Sequence, residues 1–122
     1  MTRVLIVDDQ PVFRMVARAL LEARGYVVVG EAGCAASARE AVERLSPDAV
    51  LLDIGLGDDS GHEVARALTR LDPAPAVLLV SVEDHGDEHG RARDCGASGF
   101  VPKARLAAAD LGRFWPPPRQ GG

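Results

Sequence analysis

Aromatic residues are scarce in this chain, 4% of its 122 positions, so any core has to be built from Ala, Val and Leu rather than from large rings. Apolar residues still reach 47%, which excludes a disordered chain. There are only two cysteines, Cys34 and Cys95, far apart and without metal-type spacing. That excludes a disulfide scaffold or a zinc module and reads as reduced thiols in a cytoplasmic protein. No apolar run approaches the ~20 residues needed to cross a bilayer. Met1-Thr2-Arg3 leads straight into an apolar stretch, without a signal-peptide h-region. Positive charge is not in excess either: the net charge is −4, so the surface as a whole repels nucleic acid and points to a protein or small-molecule partner. The length fits one domain, and a chain of this size buries roughly two-thirds of its unfolded surface, enough for a core without staples.

What is present is an alternation. Short apolar runs stand at Val4–Val7, Val27–Val29, Ala49–Leu52, Ala76–Val80 and Phe100–Val101. They are apolar at every position, as in strands covered on both faces. Segments of helical period lie between them. The first carries Val12, Val16, Ala19, Leu20 and Ala23, with Gly25 as its stop; the second Ala38, Ala41, Val42 and Leu45, closed by Ser46-Pro47; the third Val64, Ala67, Leu68 and Leu71, closed by Asp72-Pro73. Each shows the three-and-four spacing of a single buried face, with Gly or Pro just beyond.

Strand–helix alternation of this kind predicts an α/β fold: a doubly wound five-stranded parallel sheet in the flavodoxin-like order 2-1-3-4-5, with helices on both faces. Pro102, at the end of the fifth run, suits the edge position that this order gives it. The fourth helical segment, Asp87–Asp94, is mostly charged and contains Gly90, which predicts a short or mobile helix with Ala92 and Cys95 as its buried candidates. A last helix is expected over about Arg105–Phe114. Residues 1–115 then form the domain, and the Pro/Gly-rich residues 116–122 a disordered tail or truncated linker.

Ligands of open parallel sheets bind beyond the carboxyl ends of the strands. Those ends carry Asp8-Asp9, Asp53, Ser81 and Lys103. In the order 2-1-3 the first and third strands are neighbours, so three carboxylates converge. Like charges so close drive one another's pKa up. A hard divalent cation resolves the conflict, and oxygen ligands with room for waters suit Mg2+. A carboxylate in such a site is a competent nucleophile toward phosphorus. Lys103 can supply positive charge and Ser81 a hydroxyl donor to the transferred oxygens.

The stretches VLIVDDQPVFR, VLLDIGLGDDSG, VLLVSVED and GASGFVPK, in this order and spacing, resemble the receiver domain of two-component response regulators over about Arg3 to Phe114. The wording is nearest to receivers that usually precede a helix-turn-helix output domain. The resemblance implies that Asp53 is the phosphoacceptor, that Asp9 and Asp53 bind Mg2+ directly and Asp8 through water, and that the carbonyl of Gly55 completes the protein's ligands. It also implies that Ser81 and Phe100 form a switch pair, the hydroxyl moving toward the phosphoryl group as the ring turns inward. The donor would be a sensor histidine kinase or a histidine phosphotransfer protein. The output would pass through the fourth helix, fifth strand and fifth helix to a protein partner, in a monomer or a homodimer. The domain would act as a self-dephosphorylating acceptor, not as an enzyme on outside substrates. Val82 follows Ser81 where a smaller residue is common, and Gly57 stands where proline often shapes the loop.

Each residue also has a plainer reading. Asp9 alone could cap the helix that starts near Pro11. His85, Glu88 and His89 could be metal ligands, but a solvated surface is preferred, as it is for Arg91, Arg93 and Arg113. Phe114 and Trp115 either staple the last helix or stay exposed for a partner. Three rival functions compete with a stand-alone receiver. One is the N-terminal receiver fragment of a DNA-binding transcription regulator. Another is a pseudo-receiver interaction module, against which the complete residue set argues. The third is an aspartate-nucleophile phosphohydrolase, for which no cap insertion is evident.

Overall fold

The structure, a computed structural model, describes residues 1–82 and 86–115. Five strands, β1 (Arg3–Val7), β2 (Val27–Ala32), β3 (Ala49–Asp53), β6 (Ala76–Ser81) and β7 (Gly99–Pro102), form one parallel sheet in the order β2-β1-β3-β6-β7. Counting only these five, the order is the expected 2-1-3-4-5, with β7 and its terminal Pro102 at an edge. A two-residue hairpin, β4 (Gly55–Leu56) with β5 (Asp59–Ser60), adds a small ladder after β3 that the sequence reading did not foresee. Val4–Val7, Ala49–Leu52 and Val77–Val80 are buried at every position, as strands covered on both faces require.

The two faces are covered by different elements. Leu5, Val7, Val50, Leu52, Val77, Leu79 and Phe100 pack under α2 (Ala35–Leu45), α3 (Gly61–Leu68) and α4 (Glu88–Asp94). Val4, Ile6, Leu51, Leu78, Val80 and Val101 pack under α1 (Pro11–Ala23) and the C-terminal segment. In α2 the expected Ala38, Ala41 and Val42 are buried, and Ser46 ends the helix in the left-handed region at φ 45°.

Four expectations are corrected. In α1 the face toward the sheet is Phe13, Ala17, Leu20 and Leu21, whereas Val12 and Val16 are 68% and 54% exposed and Ala19 and Ala23 also face outward. Both stripes have helical spacing; the one with Phe and two Leu removes more apolar area from water, and fully buried Ala17 lets the helix approach the sheet. In α3 the helix ends at Leu68, so Leu71 is 39% exposed and Ala65 takes the inward place. Glu88 is not on a solvated surface: it is buried in the first turn of α4 and paired with Arg91 at 3.1 Å, while Arg91 itself, with Arg93 and Arg113, is exposed.

The fourth correction concerns the last helix. In place of an α-helix over Arg105–Phe114, two 3₁₀ turns occupy Lys103–Ala108 and Leu111–Arg113, separated by an extended Ala109. The Arg24 guanidinium donates to the carbonyls of Ala107 and Ala109. In an α-helix those two oxygens would accept from residues four positions on. Gly112 lowers helical preference at the same point. Leu106, Leu111 and Trp115 still reach the sheet and are buried, with Trp115 edge-on to Tyr26 at 5.3 Å. The short α4 is as expected, with Ala92 and Cys95 buried. Its Gly90 is not a defect, because the Asp87 carboxylate caps the helix through the Gly90 N–H at 2.9 Å, and a Cβ there would collide with that carboxylate. His85 and residues 116–122 lie outside the described residues.

Candidate functional site: an acidic cluster at the carboxyl ends of β1 and β3

Val7 is the last residue of β1, and one more backbone bond, Asp8 N–H to the Ala32 carbonyl at 3.0 Å, carries Asp8 into the interior. Asp8 is fully buried, and its Oδ1 accepts from the Gln10 N–H at 2.8 Å, which turns the chain into α1. Asp9 projects outward instead and caps nothing: α1 has Gln10 at its N-cap and Pro11 in its first turn. Asp53, 5% exposed, closes β3, and its Oδ1 accepts from the Gly55 N–H at 3.2 Å. Ligand atoms of Asp8, Asp9 and Asp53 all lie within 4.8 Å of one another.

Lys103 enters from the end of β7. Its Nζ is 2.6 Å from Asp8 Oδ2 and 3.5 Å from Asp53 Oδ2. The Asp8 contact is a charge pair without hydrogen-bond alignment, so this buried oxygen has no hydrogen-bond donor. Burial, and then the neighbouring Asp8 charge, push the Asp53 carboxyl up to about 6, against the pull of Lys103. One lysine therefore does not neutralise the cluster. The donor set fits Mg2+: it is all oxygen, and it includes an exposed carboxylate open to water.

Sequence reasoning missed three supporting residues. Phe13 places its ring 4.1 Å from the Lys103 ammonium. Arg14 Nη1 donates to the Asp8 carbonyl at 2.5 Å and its Nε bonds Glu31 at 3.1 Å, so the loop is tied to β2, where Arg18 holds the same Glu31 at 2.9 Å. Gly61 opens α3 against the Asp53 and Ile54 backbone, where an added Cβ would lie 2.5 Å from the Asp53 carbonyl oxygen. Phe13 and Arg14 were hidden because the wrong α1 stripe was read as inward. A glycine at the start of a predicted helix was the available signal for Gly61.

The structure thus gathers Asp8, Asp9, Asp53 and Lys103, with Gly55 beside Asp53. Ser81 ends β6, one position beyond the residue that pairs with Asp53. Phe100 stands farther back on β7, paired with Leu79; its ring is buried and meets the His89 ring edge-on at 5.7 Å. Val82 is 71% exposed. Among the described residues no helix is long and apolar enough to cross a membrane.

Comparison with known proteins converges on one family. Residues 4–111 match the profile of the response regulator receiver domain. A protein described as a transcriptional regulator from Pseudomonas aeruginosa is 39% identical over 103 residues, 84% of this chain and 50% of its own length. A protein-glutamate methylesterase/protein-glutamine glutaminase from Agrobacterium fabrum is 36% identical over 93% of this chain and 28% of its own length. The chain therefore spans half or less of these curated relatives. Among solved structures, a two-component response regulator of the LuxR family from Aurantimonas sp. superposes with a TM-score of 0.82 at 34% identity, covering 88% of this chain and 78% of that one.

Proposed function

We propose a residue-level role for this chain, which belongs to the response regulator receiver domain family and is, as such, a phosphoacceptor of two-component signalling. Asp53 takes the phosphoryl group. A carboxylate oxygen of Asp53 attacks phosphorus as the bond to the imidazole of a donor phosphohistidine breaks, leaving an aspartyl phosphate and a histidine that regains its proton. Asp9 and Asp53, with the Gly55 carbonyl, would hold Mg2+, and Asp8 would support it; bound there, Mg2+ would supply positive charge to the oxygens of the transferred group. Lys103 neutralises a further oxygen, and Ser81 offers its hydroxyl from the end of β6. Residues 1–115 make up the receiver, which turns over no outside substrate.

The observation that carries this reading is the meeting of Asp8, Asp9 and Asp53 within 4.8 Å with Lys103 against two of them. Phosphorylation then biases the packing of α4, β7 and the 3₁₀ segment that stands where a fifth helix was expected. Ser81 and Phe100 are the moving pair in that switch. The buried Phe100 ring supports its part in that switch. The donor is a histidine kinase or phosphotransfer protein that acts in the cytoplasm. Its docking face is the outward stripe of α1, where Val12, Met15 and Val16 are exposed at helical spacing, starting three residues after Asp9. The output is a protein partner or an output domain, and this domain makes no contact with nucleic acid.

Acetyl phosphate with and without Mg2+, read by intact mass, tests the chemistry. A Mg2+-dependent gain of one phosphoryl group that Asp53→Asn abolishes is the expected outcome. A gain that persists in Asp53→Asn would assign the wrong nucleophile. No gain in folded, Mg2+-binding protein would leave an interaction module of the same fold.

A further inference from the structure

Lys103 is the only lysine of the chain, and its side chain is 10% exposed. Among the described residues its ammonium has three neighbours: Asp8 Oδ2 at 2.6 Å, Asp53 Oδ2 at 3.5 Å and the face of the Phe13 ring, 4.1 Å from Nζ to the centroid. Two of the three are carboxylates of the acidic cluster, for which a divalent cation competes. The ring is neutral and offers nothing for which such a cation competes. A cation over an aromatic face is held by the ring quadrupole, more strongly when water is excluded.

We propose that Phe13 is a positioning residue for the phosphoryl transfer: its ring keeps the Lys103 ammonium beside Asp53 when the carboxylates are engaged by Mg2+. The inference rests on the site reading above and goes beyond it, because it assigns a role to a side chain that touches neither phosphorus nor metal. Phe13 reaches the place through α1. Pro11 starts the helix two residues after Asp9, and the turn that follows points position 13 inward, half-buried against the core of that face. The same ring therefore packs and positions. A test has to separate the two.

Phe13→Leu keeps an apolar side chain and removes the aromatic face; Phe13→Tyr keeps the face. With lysine labelled in 13C, the chain gives one set of εCH2 signals that needs no assignment. The expected result is an upfield, ring-shifted εCH2 signal in the wild type that persists at saturating Mg2+. It moves to the free-lysine position in Phe13→Leu and stays shifted in Phe13→Tyr. Phosphorylation by acetyl phosphate at saturating Mg2+ should slow in Phe13→Leu by roughly 5–30-fold, the rate equivalent of one cation–π contact. Phe13→Tyr should restore the rate, with the Mg2+ dissociation constant from calorimetry unchanged in both. An εCH2 signal that loses its ring shift when Mg2+ is added to the wild type would overturn the proposal. Equal loss of rate in Phe13→Leu and Phe13→Tyr would overturn it too, since packing alone would then explain the residue. The lysine signal decides the matter even if acetyl phosphate fails to label Asp53, so a failure of the site reading stays distinguishable from a failure of this one.

Discussion

The residues of the site divide by how their position is determined. Asp8, Asp9, Asp53 and Lys103 follow from one rule, that parallel strands present ligands' partners at their carboxyl ends, and the strand runs are apolar enough to locate those ends within a residue. Phe13, Arg14 and Gly61 were not legible, because each depends on which way a helix is turned or how closely one backbone approaches another. The charge balance at Asp53 has a measurable consequence. Its pKa, raised to about 6 by burial and by Asp8, lies above the unfolded value near 4, so the folded form binds the proton more tightly. Stability from this group is full below about pH 4 and is lost as pH rises through about 6. Without Mg2+, Asp53→Asn should therefore be the more stable protein at pH 7 and should match the wild type near pH 4. Urea unfolding followed by the single tryptophan, the buried Trp115, measures this. Adding Mg2+ should narrow the gap by stabilising only the wild type. Equal stability of the two proteins from pH 4 to pH 7 would contradict the electrostatic reading.

At the scale of elements, the strands and α2 were readable because a run that is apolar at every position, or one apolar stripe bounded by Ser46-Pro47, allows one reading. Helix α1 was ambiguous because it carries two apolar stripes, and only the sheet beneath it decides between them. The C-terminal segment misled for another reason: its pattern of Leu106, Leu111 and Trp115 does bury, but a distant side chain sets its conformation. Arg24, at the end of α1, takes the Ala107 and Ala109 carbonyls that a regular helix would use internally. Arg24→Gln should release them. The expected cost is about 1–2 kcal/mol of stability, from hydrogen bonds made by a charged donor. Amide exchange should rise across Leu106–Phe114 and not in β1 or β3, as for an element that opens locally. Exchange unchanged in that segment would show that Arg24 merely decorates it.

The whole molecule presents two unlike surfaces near the same site. The acidic loop and the strand ends offer chemistry, and the outward stripe of α1, with Val12, Met15 and Val16 exposed, is the apolar surface on which the proposed donor would land. A small donor needs only the first. Met15→Glu, on a residue 65% exposed and away from the carboxylates, should slow transfer from a phosphohistidine protein by tenfold or more, since about 1.4 kcal/mol of docking is a factor of ten. Acetyl phosphate should label that variant at the wild-type rate. Equal loss with both donors would move the docking face elsewhere. The central claim, that Asp53 is the acceptor, is tested most directly by locating the phosphoryl group. Borohydride converts an aspartyl phosphate to homoserine, which tandem mass spectrometry reads at a single position. After acetyl phosphate and Mg2+, homoserine should appear at position 53 and nowhere else; homoserine at another aspartate, with Asp53 intact, would contradict it.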